Sequence, residues 1–130
     1  MKKPIALLFF ILLNLANASA QTELSIPYGN NKEAGNYKQI NGIKMYYEVY
    51  GSGKPLVLLH GNGGSIKGQS RRIDYFKKQF QVIAIDSRGH GKSIDTSNKQ
   101  LTYTQMADDV STLLDSLKIK DAYIWGQSDG

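Results

Sequence analysis

The chain has no cysteine, and only three prolines, one tryptophan and two histidines among its 130 residues. Without thiols there is no disulfide to staple the fold and no thiolate set to hold zinc, and two imidazoles are too few for most histidine-based metal sites. No metal or other cofactor is therefore expected, and the fold must rest on an apolar core. Long apolar runs are also missing. The longest, residues 5–13, has nine residues, or eleven if the run is carried past Asn14, against the roughly 20 that span a bilayer. Charge of one sign does not dominate either: the net charge of +5 falls to +3 once Lys2 and Lys3 are set aside. The remaining basic residues are scattered apart from Arg71-Arg72 and Lys77-Lys78, with no interleaved aromatic stripe, so nothing supports nucleic-acid binding.

What is present begins with a leader. Lys2 and Lys3 form a positive n-region, residues 5–13 the short apolar stretch, and Ala18-Ser19-Ala20 a small-residue cleavage site, which places Gln21 at the mature terminus. No cysteine follows for lipid attachment. The expected location is secreted or periplasmic, with no stable membrane anchor after cleavage. Three segments result: residues 1–20 as signal peptide, residues 21–36 as a polar lead without firm structure, and residues 37–130 as a partial α/β domain. A single α/β domain commonly runs to about 200–250 residues, so the mature length is short for one.

The periodicity predicts alternating elements. Residues 37–40 and Ile43–Tyr50 are rich in aromatic and β-branched side chains, with Asn41-Gly42 between them; Asn-Gly suits a type I′ hairpin turn, whose two central residues need positive φ. Leu56-Val57-Leu58-Leu59, Val82-Ile83-Ala84-Ile85 and Ala122-Tyr123-Ile124-Trp125 read as strands buried on both faces of a parallel sheet. Ile73, Tyr75, Phe76 and Phe80 fall at near-helical spacing, which predicts a short helix over residues 71–79. Residues 102–117 are the clearest helix: Thr102 and Gln105 have capping-box spacing, and Met106, Val110, Leu113, Leu114 and Leu117 form one apolar stripe. Strands alternating with helices imply βαβ units with right-handed crossovers. Each parallel strand ends in a glycine-rich loop, and ligands in such sheets bind outside the carboxyl ends of the strands.

Three loops therefore share one rim. Gly126-Gln127-Ser128-Asp129-Gly130 fits G-x-S-x-G, in which a sharp strand-to-helix turn exposes a serine hydroxyl at the top of the sheet. His60-Gly61-Asn62-Gly63-Gly64 offers backbone N–H groups to a developing oxyanion, with Asn62 as the donor and His60 as a structural side chain. Asp86-Ser87-Arg88-Gly89-His90-Gly91-Lys92-Ser93 reads as a tight turn fixed by Asp86 and Arg88. Two nucleotide motifs are near misses. A P-loop would need glycine where Asp86 stands, and the dinucleotide fingerprint would need it at Ile66.

In this order and spacing the three motifs resemble the α/β-hydrolase family, over residues 37–130. The resemblance implies an α/β fold comprising the N-terminal half of the hydrolase sheet, truncated at the nucleophile elbow. It implies Ser128 as nucleophile, with the N–H groups of Asn62 and Asp129 as the oxyanion hole. The implied partner is a small-molecule acyl substrate, and the implied activity is hydrolysis of an ester or similar acyl bond. A serine at position 128 argues against the branches with an aspartate nucleophile, dehalogenases and epoxide hydrolases. An acyltransferase or cofactor-free peroxidase on the same scaffold, or a non-catalytic binding protein, remain as alternatives. In this family the acid and histidine of the triad follow the serine along the chain, whereas His60 and His90 both precede Ser128. The chain alone is therefore expected to be inactive.

Overall fold

The computed structural model describes residues 25–130; the expected leader lies outside them. Five strands form one mixed sheet. Strands β1 (Gly35–Ile40) and β2 (Ile43–Tyr50) make the expected hairpin, turning at Asn41 (φ 45°) and Gly42 (φ 87°). Then follow β3 (Lys54–Leu59), a 3-10 turn (Ile66–Gln69) leading into α1 (Ser70–Phe76), β4 (Phe80–Ile85), α2 (Tyr103–Ser116) and β5 (Tyr123–Gly126). The spatial order is β1-β2-β4-β3-β5: β2 runs antiparallel to β4, and β3 lies parallel to both β4 and β5. This is the partial hydrolase sheet that the motif order implies.

The sheet order explains the layering. From β3 the chain steps one way to β4 and then back past β3 to β5, and right-handed crossovers in opposite directions put the two helices on opposite faces. Side chains alternate across the strands accordingly. Tyr46, Tyr50, Leu56, Leu58, Val82 and Ala84 face Ile66 and Ile73 on the α1 side. Met45, Tyr47, Val57, Ile83 and Ile85 face Leu113 on the α2 side. Burial on both faces is why β3 and β4 read as continuous apolar runs.

Helix α2 begins as its sequence dictates, with the Thr102 hydroxyl accepting the Gln105 N–H at 3.1 Å, a cap whose loss costs about 1 kcal/mol. Helix α1 starts earlier and stops three residues sooner than the apolar spacing suggests, because Phe80 belongs to β4 rather than to the helix.

Two expectations need correction. The third parallel strand is not buried: Tyr123 is 54% and Ile124 62% exposed, since β5 is the sheet edge and no described element packs beyond it. The polar lead is also better fastened than its composition suggests. Although residues 25–34 form only turns, Tyr28 is buried and its hydroxyl hydrogen-bonds Asp74. The fully buried Glu48 carboxylate accepts the N–H groups of Gly29 (2.8 Å) and Asn31 (3.0 Å), and the hydroxyls of Tyr46 (2.6 Å) and Tyr50 (2.8 Å). Burial first, and then the Glu48 partner, push both tyrosines well above the usual phenol range, so they remain donors. A buried carboxylate survives only when its lone pairs are met in this way.

Candidate active site

The carboxyl ends of β3, β4 and β5 open onto one rim. The turn after β5 is the sharpest feature there. Ser128 has φ 57°, a left-handed conformation that costs a non-glycine residue about 1–2 kcal/mol. Such strain persists only where the surroundings over-determine it. Here the Gln127 N–H donates to the Leu59 carbonyl at 3.2 Å and the Gly130 N–H to the Gln127 carbonyl at 2.9 Å. The flanking glycines are required by contact. A Cβ on Gly126 would collide with the Gly130 carbonyl, and one on Gly130 would stand 2.7 Å from the Leu59 carbonyl oxygen.

The loop after β3 lies against this turn: a Cβ built on Gly61 would fall 3.1 Å from Ser128 Cβ. The structure thus brings Ser128, Asn62 and Asp129 together. Their relation has one feature the motif did not convey. The Asn62 N–H, read from sequence as an oxyanion donor, donates instead to the Asp129 carboxylate at 2.5 Å. Sequence reasoning assigned Asp129 only a backbone role. The signal available was an acid beside the presumed nucleophile.

His60 behaves as the structural residue expected of it. It is buried, and its Nε2 accepts the Ser87 N–H at 3.0 Å. This leaves the proton on Nδ1, which donates to the Gly61 carbonyl at 2.8 Å. His90 places Nδ1 2.9 Å from the Arg88 carbonyl and Nε2 3.3 Å from Asn62 Oδ1. Both imidazoles hydrogen-bond within the rim loops, and neither hydrogen-bonds Ser128.

The loop after β4 is fixed by charge. Asp86, buried, accepts the N–H groups of Ile66 and Lys92, both at 2.8 Å. Arg88 clamps Asp109 of α2 with two bonds (2.7 and 2.9 Å), reaches Asp95 at 3.1 Å and donates to the Asn41 carbonyl at 2.9 Å. The bidentate Asp109 partner raises the already high value of the guanidinium further. Asp95 is pulled down to about 2 by the hydroxyl and N–H of Ser97, with Arg88 adding to the effect. The sequence suggested loop-fixing roles for Asp86 and Arg88. The partner Asp109 was missed, since on α2 it read only as an acid favourable to the helix dipole.

Two hollows meet at Asp129, the first of them also lined by Ser128. One of about 920 Å³ is mainly apolar, lined by Leu59, Met106, Val110, Leu114 and Ile124 beside Ser128. The other, about 730 Å³, is more polar, with His60, Asn62, His90, Thr102, Thr104 and Asp129 on its wall. Among the described residues no cluster of acids and histidines could hold a metal ion, and no helix is long and apolar enough to cross a membrane.

Residues 54–130, from the start of β3 through the serine turn, match the model of the alpha/beta hydrolase fold family. The chain belongs to the alpha/beta hydrolase fold family. Among the relatives of this alpha/beta hydrolase is a Bacillus subtilis (strain 168) protein named as the uncharacterized hydrolase YraK, 32% identical over 94 residues that cover 71% of this chain and 34% of that protein. Among solved structures, Est816, described as an N-acyl homoserine lactone degrading enzyme, is 35% identical with a TM-score of 0.67, over 72% of this chain and 36% of its own. The epoxide hydrolase CorEH is 36% identical with a TM-score of 0.70, over 74% and 34%. The chain thus spans about a third of the length of the relatives it matches.

Proposed function

We propose that the protein carrying this chain is a secreted or periplasmic serine hydrolase that cleaves an ester or similar acyl bond of a small molecule, with Ser128 as nucleophile. The observation that carries this reading is the left-handed Ser128 at the carboxyl end of β5, facing the Asn62 loop. The Ser128 Oγ attacks the scissile carbonyl and forms an acyl–oxygen bond. The N–H groups of Asn62 and Asp129 receive the negative charge on the carbonyl oxygen. The bond to the leaving alcohol breaks, and that alcohol takes the proton the serine gave up. Water then attacks the acyl-enzyme, and the acid leaves with Ser128 restored. A serine needs an adjacent base to do this. His60 and His90 are held by other partners, so neither is assigned as the base for Ser128, and the triad histidine and acid are taken from outside the described residues. The lactone chemistry named for Est816 supports an acyl substrate.

The test is hydrolysis of short p-nitrophenyl esters by the full-length protein, by its Ser128→Ala variant and by the 130-residue chain alone. Turnover is expected only from the first. Undiminished turnover in Ser128→Ala would defeat the nucleophile assignment, and Ser128-dependent turnover by the short chain would defeat the division of the triad. Export is tested separately by N-terminal sequencing of secreted protein, which should begin at Gln21; exported material starting at Met1 would sink that part.

A further inference from the structure

The oxyanion donor at Asn62 is already engaged by an anion, the Asp129 carboxylate, at 2.5 Å. The same oxygen of Asp129 lies 3.4 Å from where a Cβ on Gly61 would stand, so the half-exposed side chain lies against the Asn62 loop. Asp129 takes part in none of the ion pairs among the described residues. The wall of the polar hollow it shares with His60, Asn62 and His90 holds no lysine or arginine. Among the described residues, then, a negative charge without a cationic partner sits on one of the N–H groups that the proposed reaction needs.

Resting on the serine-hydrolase reading, we infer that the Asp129 side chain is a resident occupant of the oxyanion site that a substrate carbonyl must displace, and that it thereby selects neutral acyl groups over acyl groups bearing a carboxylate. The physical grounds are competition and repulsion. A carbonyl oxygen is a weaker acceptor than a carboxylate for the same N–H, since bonds to an ionised acceptor are roughly twice as strong. Substrate binding thus includes the work of moving Asp129 aside. Once displaced, the carboxylate stays tethered one residue from Ser128. A second carboxylate on the acyl chain would then be held several ångströms from it at the half-exposed rim, where the repulsion costs on the order of tenfold in binding.

The experiment compares p-nitrophenyl butyrate with the p-nitrophenyl monoester of succinate on the full-length protein and on its Asp129→Asn and Asp129→Ala variants, all of which keep the backbone N–H. The preference for butyrate over the succinate monoester should fall by about tenfold in both variants. The KM for butyrate should also drop in Asp129→Ala, where the competing acceptor is gone. A preference unchanged in Asp129→Asn overturns the selectivity. The contact itself is read without turnover, from the Asn62 backbone amide proton in 15N-labelled protein. That proton should resonate upfield in Asp129→Ala relative to the unsubstituted protein, and an unmoved resonance overturns the occupancy. Absence of ester turnover in the unsubstituted protein would overturn the hydrolase reading and the selectivity with it, while the Asn62 resonance judges the contact in either case.

Discussion

The centre of the sheet and its β5 edge are built from similar residues and treated in opposite ways. Strands β2, β4 and β3 are covered on both faces, and among the polar groups buried beside them Glu48 and the Arg88–Asp109 pair are well partnered, while the buried Gln69 amide has no hydrogen-bond partner among the described residues. Strand β5 shows Tyr123 and Ile124 to solvent and leads into a left-handed serine whose neighbouring carboxylate accepts the Asn62 N–H. The difference teaches where this fold keeps its stability and where it keeps its reactivity. The paired centre holds the rim loops in place, and on the proposed reading the edge would carry the chemistry at some cost to itself.

Substitutions can break this division. The largest effect should be on activity at the edge: Ser128→Ala is expected to lower kcat for ester hydrolysis in the full-length protein by about 10⁴-fold or more, with little change in unfolding midpoint. At the centre the order reverses. Asp109→Ala leaves the Arg88 guanidinium buried with only Asp95 and the Asn41 carbonyl, and should destabilise by about 3–5 kcal/mol. Denaturant unfolding at neutral pH measures this, and a loss below about 1 kcal/mol would show that the clamp is not what holds the loop. A smaller effect of opposite sign belongs to the elbow. Ser128→Gly removes the side chain from a left-handed position and should stabilise by about 1 kcal/mol, whereas Ser128→Ala should not. Equal stabilities for the two would mean the turn is unstrained.

The smallest effect is one of acid. Asp95 has a lowered folded value, so its contribution to stability is complete above the ordinary aspartate value of about 3.9. That contribution fades as pH falls through the folded value of about 2. Comparing the pH dependence of stability with that of Asp95→Asn should show a difference that narrows across this window. A constant difference would remove Asp95 from the loop's support.

Much of this was legible in the sequence because it follows from local rules. Asn41-Gly42 dictated the hairpin, and Thr102 with Gln105 marked the start of α2. The apolar runs at β3 and β4 announced strands covered on both sides, and the serine turn was visible as two glycines around Ser128. What escaped depends on distant partners. Glu48 reads as an ordinary strand acid until Gly29, Asn31 and two tyrosines close around it. Asp109 reads as a helix-surface acid until Arg88, 21 residues away, reaches it. Asp129 contributes a backbone donor by motif, and its side-chain contact with Asn62 spans 67 residues. The exposure of β5 is not legible in its apolar run alone, since such a run reports what a strand can bury, not what covers it.

The sheet order also bears on how the chain assembles. Strands β2 and β3 are consecutive in sequence yet do not pair, because β4 lies between them. Each must wait for a partner far along the chain: Tyr47 pairs with Ile85, and Leu56 with Val82. Closing such long loops costs entropy before any pairing repays it, and folds dominated by distant contacts form slowly. Until β4 inserts, the hairpin and β3 each present an open row of backbone groups beside a ready but wrong neighbour. The central strand is thus the keystone in time as well as in space.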